Sequence, residues 1–201
     1  MFRKVNCVNV METKIINPNY EKMMTDSVLK FRKIYFNDRV DEISVTKVMY
    51  YLDKLEAIDR LEGEKRKITL VMNSPGGYVY DGLMLASRLE EMVLNGYEIE
   101  TITGGMSASM SFVIGLCGSK RKCYKYSSFL AHQPSGGEVG TLIERERGVE
   151  ESRRLWNVLR DIIKAHSKIT DEDLDKIYST VNDRIYNAEE ALMYGIVDEI
   201  I

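Results

Sequence analysis

A run of small residues, Gly104-Gly105-Met106-Ser107-Ala108-Ser109-Met110-Ser111, stands between two apolar segments. Ile99 to Thr103 before it has strand character. Phe112-Val113-Ile114-Gly115-Leu116-Cys117 after it is spaced as a buried helix that Gly118 ends. The expectation is a strand that turns sharply on the two glycines and delivers serines into the first turn of a helix. Free N–H groups and the positive end of the helix dipole would there stabilise an oxyanion, so a serine hydroxyl could serve as a nucleophile. Helix capping is the other role open to these serines. A nucleophilic serine needs a base, and the base needs an orienting group. The chain has two histidines. His166 falls at the end of a charged helix, where a cation suits the dipole, and reads as structural. His132 falls at the C-terminal end of a buried strand, before Gln133-Pro134, and is the base candidate.

Among the carboxylates, Asp171, Asp173 and Asp175 are accounted for by a helix start and a solvated surface. Asp183 lies in Val181-Asn182-Asp183-Arg184-Ile185, a loop expected between two helices, and serves no cap. It is the orienting candidate, with Asp198 beside a terminal strand left as competitor. Asn73-Ser74-Pro75-Gly76-Gly77 follows another buried strand, and its glycines expose backbone N–H groups. With the Met110 N–H these could form an oxyanion hole. A phosphate-binding loop is the alternative, but neither G-x-G-x-x-G nor Gly-Lys-Ser/Thr is present.

The elements that must position these residues follow from periodicity. Residues 1–30 have no clear period; Asn17-Pro18-Asn19 marks a turn, and an arm followed by a poorly defined helix is expected. Lys33 to Phe36 reads as a strand, and the next helix carries Val45, Val48, Met49, Leu52 and Leu55 on one face. Ile68 to Met72 is apolar throughout, as for a strand buried on both faces. A helix from Asp81 to Leu94, a strand from Glu98 to Thr103, and further strands at Lys122 to Tyr126 and Phe129 to Ala131 complete the middle of the chain. Strand, glycine-bearing turn and helix thus repeat, which makes an α/β domain with its chemistry at the strand ends. Glu144 to Ser167 is a charged helix with a narrow apolar stripe, Leu155, Val158, Leu159, Ile162 and Ile163, suited to projecting from the domain and meeting a partner subunit. Thr170 and Asn187 open two more helices, and Ile196 to Ile201 reads as a last strand.

At 201 residues with a net charge of −3, the chain has the size of one domain and no nucleic-acid surface. The basic clusters Lys65-Arg66-Lys67 and Lys120-Arg121-Lys122 read as solvated loops. Cys7, Cys117 and Cys123 lack metal-ligand spacing, and Cys117 is expected to pack in the buried helix. No metal or cofactor is expected. Without a signal-peptide pattern or a spanning apolar run, the expected location is the cytoplasm, away from any membrane.

The ordered series Asn-Ser-Pro-Gly-Gly, Ser-Ala-Ser-Met, His-Gln-Pro, Asp-Arg and Asn-Ala-Glu-Glu-Ala-x-x-Tyr-Gly-Ile-Val-Asp, spread from residue 31 to 201, resembles the proteolytic subunit (ClpP) family of the ATP-dependent Clp protease. The resemblance implies a spiral of strand-strand-helix units shared with crotonases, and a protruding handle of a strand and long helix, here at 137–168. Residues 1–30 would be an arm and 31–201 one catalytic domain. It implies Ser109 as nucleophile, His132 as general base and Asp183 as orienting acid. Gly77 and Met110 would supply the oxyanion-hole N–H groups. An extended peptide would lie between Gly76-Gly77-Tyr78 and Gly136-Gly137-Glu138 by strand addition. It further implies seven-membered rings stacked as a tetradecamer, fed with polypeptide by an AAA+ unfoldase.

Several positions depart from the family pattern. Asn182 stands where many members carry an arginine that pairs across the ring interface, and Val181 replaces an acidic residue. Thr69 and Val71 stand where many members have aromatics lining the unfoldase-docking pocket, which weakens that part of the inference. Three other readings are therefore carried: a phage-type maturation peptidase working without an ATPase, a crotonase-like acyl-CoA enzyme, and an inactive ring subunit.

Overall fold

The computed structural model describes residues 18–137, 139–180 and 183–201. The arm expected before residue 18, with Cys7 and Asn17, and the positions Glu138, Val181 and Asn182 lie outside them. The segment expected as a turn and a poorly defined helix is the regular helix α1 (Pro18–Phe31), with Pro18 in its first turn and Val28 buried. It leads into β1 (Lys33–Phe36) and α2 (Glu42–Glu62). Asp41 and Ser44 cap α2 reciprocally, and Gly63, at φ +73°, ends it.

Strand β2 (Ile68–Ser74), helix α3 (Val79–Leu94), strand β3 (Ile99–Ala108) and helix α4 (Met110–Leu116) repeat the expected alternation. The strands pair in parallel, Lys33 opposite Thr69 and Ile68 opposite Ile99. Ile34, Phe36, Leu70 and Met72 are buried between sheet and helices with Leu52, Leu55, Leu85 and Leu89. Each such side chain contributes about 1.5–3 kcal/mol through removal from water.

Strand β3 does not turn at Gly104-Gly105, contrary to the sequence expectation. It runs on to Ala108, and the glycines lie where it changes partner. Residues 100–103 pair with β4 (Lys120–Cys123), and residues 106–108 with β5 (Ser128–Ala131). A Cβ at Gly105 would lie 2.8 Å from Asn73 Oδ1, which accepts the Met106 N–H, and would push that side chain aside. β4 is shorter than expected, since Tyr124 to Ser127 form a turn closed by the Ser127 N–H on the Tyr124 carbonyl. Nor is Lys120-Arg121-Lys122 a loop. It is β4 itself, with Arg121 paired to Asp198 and Lys122 to Glu100 and Glu199. The charged 60–67 connection is likewise tied down, Arg66 and Arg32 both reaching the buried Asp59.

Helix α5 (Leu142–His166) starts at a Thr141–Glu144 capping box. Its N-terminal half is exposed at Leu142, Ile143 and Val149, while Leu155, Trp156, Leu159 and Ile163 are buried. The helix is therefore half projecting and half core. α6 (Asp171–Thr180) follows. The next segment, expected as a loop, contains β6 (Arg184–Tyr186), antiparallel to β5. α7 (Ala188–Met193), capped by Asn187, and the short β7 (Glu199–Ile200) end the fold. The sheet order is β1-β2-β3-β4-β7, with β5 joining β3 and β6. No helix among the described residues is long and apolar enough to cross a membrane.

Candidate active site

Ser109 is the sharp corner that the sequence places at the glycines. Its φ of +54° and ψ of −125° are unusual for a residue with a side chain, a conformation that costs on the order of 1–3 kcal/mol. The Ser109 N–H on the Leu130 carbonyl holds the corner against β5. Although Ser109 stands at the N-cap of α4, its hydroxyl caps nothing. The neighbouring serines are engaged instead. Ser111 Oγ donates toward the Ser74 carbonyl at 2.8 Å and accepts the Ala108 N–H at 2.9 Å, and Ser107 Oγ donates to the Ser111 carbonyl at 3.0 Å. Both are buried.

The free Ser109 hydroxyl lies 2.7 Å from His132 Nε2. Two registers produce this approach. β5 lies beside the end of β3, Ala108 opposite Leu130, so His132 just past β5 overhangs the corner. β6 pairs Arg184 with Ala131, and one step further along the ladder sets Asp183 opposite His132. Asp183 Oδ1 is 3.5 Å from His132 Nδ1, within ion-pair reach and longer than a hydrogen bond. A carboxylate on that side favours the Nδ1–H tautomer, leaving the Nε2 lone pair toward the serine hydroxyl. The competitor, Asp198, is engaged elsewhere: Arg121 Nη2 reaches Oδ1 at 2.6 Å and the Arg121 N–H reaches Oδ2 at 2.9 Å. Burial opposes its ionisation, and the Arg121 bonds outweigh that and hold the carboxyl below its usual range. Asp171 and Asp175 pair with Arg160, and Asp173 closes a capping box with Thr170 at the start of α6, its carboxylate accepting the Thr170 N–H.

The turn after β2 presses against the same corner. Gly76 has φ +87°, and a Cβ on it would meet the Ala108 carbonyl at 2.5 Å and the Met110 nitrogen at 3.0 Å. Gly77 bridges to Val40, whose carbonyl accepts the Tyr78 N–H at 2.8 Å; a Cβ at Gly77 would lie 2.1 Å from that carbonyl. The N–H groups of Gly77 and Met110 have no acceptor among the described residues. Tyr78 is exposed at the head of α3. Gly136 and Gly137 belong to irregular chain after Pro134 with open space around both, so the handle strand expected there is not formed among the described residues.

Thr69 and Val71 differ in environment. The Thr69 hydroxyl is buried and donates to Glu100 at 3.1 Å, whereas Val71 is half-buried opposite the exposed Tyr35. The group of possible metal ligands found among the described residues is Glu90, Cys117 and His166, within 4.8 Å of one another. Two of its members are already hydrogen-bonded between helices, His166 Nε2 to Glu90 Oε1 at 2.7 Å, and it shares no residue with the serine corner. What sequence reasoning missed is the wall beside Ser109, above all Trp156. Its place next to Leu155 and three residues before Leu159 was the available signal.

A serine hydroxyl facing an imidazole at the C-terminal end of a parallel strand, beside unpaired backbone N–H groups, is a geometry capable of hydrolysis on an α/β domain. A sequence model of the Clp protease family matches residues 18–201. The ATP-dependent Clp protease proteolytic subunit of Bacteroides thetaiotaomicron is 31% identical over 186 residues, 90% of this chain and 77% of its own. Proteolytic subunit 3 of Rhodococcus jostii is 31% identical over 185 residues, 91% of this chain and 87% of its own. Proteolytic subunit 2 of Frankia casuarinae is 31% identical over 176 residues, 87% of this chain and 77% of its own. The chain belongs to the Clp protease family and has its α/β fold. That family is one of peptidases.

Proposed function

We propose that the chain is a serine endopeptidase in which Ser109, His132 and Asp183 act as a triad. The observation that carries this reading is the 2.7 Å contact between the uncapped Ser109 hydroxyl and His132 Nε2. As Ser109 Oγ attacks the carbonyl carbon of a peptide bond, its proton passes to His132 Nε2, and Asp183 stabilises the imidazolium. The carbonyl oxygen, now an oxyanion, is received by the Gly77 and Met110 N–H groups. His132 returns the proton to the leaving amine, and water repeats the sequence on the acyl-serine. The peptide lies extended between Gly76-Gly77-Tyr78 and Gly136-Gly137, giving affinity through backbone hydrogen bonds that carry little sequence preference.

The chain works as a homo-oligomeric chamber in the cytoplasm, with heptameric rings stacked as a tetradecamer. The exposed apolar residues of the projecting half of α5 support such an assembly. The relatives' ATP-dependence suggests an AAA+ unfoldase partner; the burial of Thr69 argues for a docking surface of its own kind. A thioester-enolate enzyme would have no use for the serine–imidazole contact. In the test, a fluorophosphonate labels Ser109 in the wild type, and Ser109→Ala keeps the native mass of the assembly while losing peptide cleavage. Unchanged cleavage in Ser109→Ala would overturn the assignment. Asp183→Asn is expected to lower kcat by about 10²–10⁴.

A further inference from the structure

At the end of α4 away from Ser109, three helices bring together side chains from distant parts of the chain. Glu90 belongs to α3, Cys117 is the C-cap of α4, and His166 is the last residue of α5. One donor atom from each lies within 4.8 Å of the others, so an oxygen, a sulfur and a nitrogen converge there. Cys117 is buried, and its thiol makes a 3.4 Å hydrogen bond to the Val113 carbonyl of its own helix. His166 Nε2 faces Glu90 Oε1 at 2.7 Å, and these two side chains are 28% and 38% exposed. The group is therefore closed on the sulfur side and open to solvent on the other. Arg121, which reaches the His166 carbonyl, has its charge offset by Asp198 at 2.6 Å.

We propose that Glu90, Cys117 and His166 form a zinc-binding site, with water as the fourth ligand on the exposed side. The site goes beyond the peptidase reading and does not depend on it. Tetrahedral zinc, with bonds of about 2.0–2.3 Å, sets its ligand atoms about 3.3–3.6 Å apart. His166 Nε2 and Glu90 Oε1 part by about 0.6 Å to admit the ion, and the sulfur closes on it from behind. Sulfur and imidazole together suit zinc, whereas magnesium and calcium take oxygen ligands. The thiol proton leaves to solvent as the sulfur binds, and the thiolate and carboxylate then balance the charge of the ion. Cysteine spacing does not reveal such a site, because its ligands sit on three helices and one of them alone is a cysteine. The bound ion ties the far end of α4 to α3 and α5.

The test uses the untagged full chain in its native assembly, stripped with a chelator and then given zinc chloride. The wild type is expected to retain one zinc per chain through gel filtration. Its Tm should rise by about 5 °C or more at saturating zinc, and magnesium chloride should give no such rise. Cobalt(II) in place of zinc should produce a thiolate-to-metal charge-transfer band in the near ultraviolet. Cys117→Ala should abolish that band and weaken zinc binding by about 100-fold or more, since even the outer partners of a metal site are worth roughly 10–100-fold. Glu90→Gln keeps a hydrogen bond to His166, so the helices stay docked, and should weaken zinc binding by about tenfold or more. Native mass checks that each variant still assembles. A wild type that retains no zinc overturns the proposal, as does retained zinc without the cobalt band or an equal Tm rise with magnesium. Binding and band unchanged in Cys117→Ala would put the metal on other residues and overturn it as well.

Discussion

Ser107, Ser109 and Ser111 are three chemically equal side chains within five residues, and their surroundings divide their roles. Ser111 ties the end of β2 to the corner through the Ser74 carbonyl, Ser107 holds the first turn of α4, and Ser109 alone is left facing an imidazole. Ser111→Ala should therefore lower stability by about 1–3 kcal/mol, because it strands the buried Ala108 N–H and Ser74 carbonyl, while Ser109 remains open to labelling. Urea unfolding combined with fluorophosphonate labelling checks both halves; the reverse pattern is expected of Ser109→Ala. From residue types alone the three serines compete. The order of motifs singles out Ser109, but the physical reason, an uncapped hydroxyl on a strained corner, appears only once the backbone is in three dimensions. Trp156 was not legible for a related reason. Helical spacing identifies a buried face without saying what that face meets.

At the scale of elements, the apolar strands and capped helices were readable because their periods and caps are local. β1, α2, β2, α3 and α5 stand within a few residues of their expected places. β6 was not readable. Arg184-Ile185-Tyr186 is three residues long, and two of them are exposed, so nothing in its pattern distinguishes it from a loop. Its existence depends on β5, more than fifty positions earlier in the chain. The glycine turn was misplaced in a similar way. Gly104 and Gly105 mark a change of strand partner, where the chain still runs straight, and the bend falls on a serine. The Pro-Gly-Gly turn is a case where the residue type does report the constraint. In Gly77→Ala the added methyl would collide with the Val40 carbonyl, displacing the bridge that holds the Gly77 N–H in place. Peptidase activity should fall by about 10²-fold or more, as for loss of an oxyanion-hole donor. Activity within threefold of wild type would remove Gly77 from the site.

For the molecule as a whole, buried or half-buried ion pairs join its far ends. Glu100 on β3 is disfavoured as a carboxylate by burial, but bonds from Thr69, Lys67 and Lys122 prevail and hold its carboxyl below its usual range. Asp198, near the end of the chain, is held low by Arg121 in the same balance. Groups whose folded values are depressed contribute stability above their unfolded values, near 4, and lose it as the pH falls through the folded ones. Urea midpoints should therefore drop between about pH 4 and pH 2, and the drop should be shallower in Asp198→Asn. The antiparallel pairing of β5 with β6 has a further consequence, one of timing during synthesis. A chain emerging from the ribosome exposes Ser109 and His132 some fifty residues before Asp183 and the strand that anchors it. Until that last stretch is released, the His132 imidazole has no carboxylate beside it, and under the proposed triad a half-made subunit holds two of its three acting side chains.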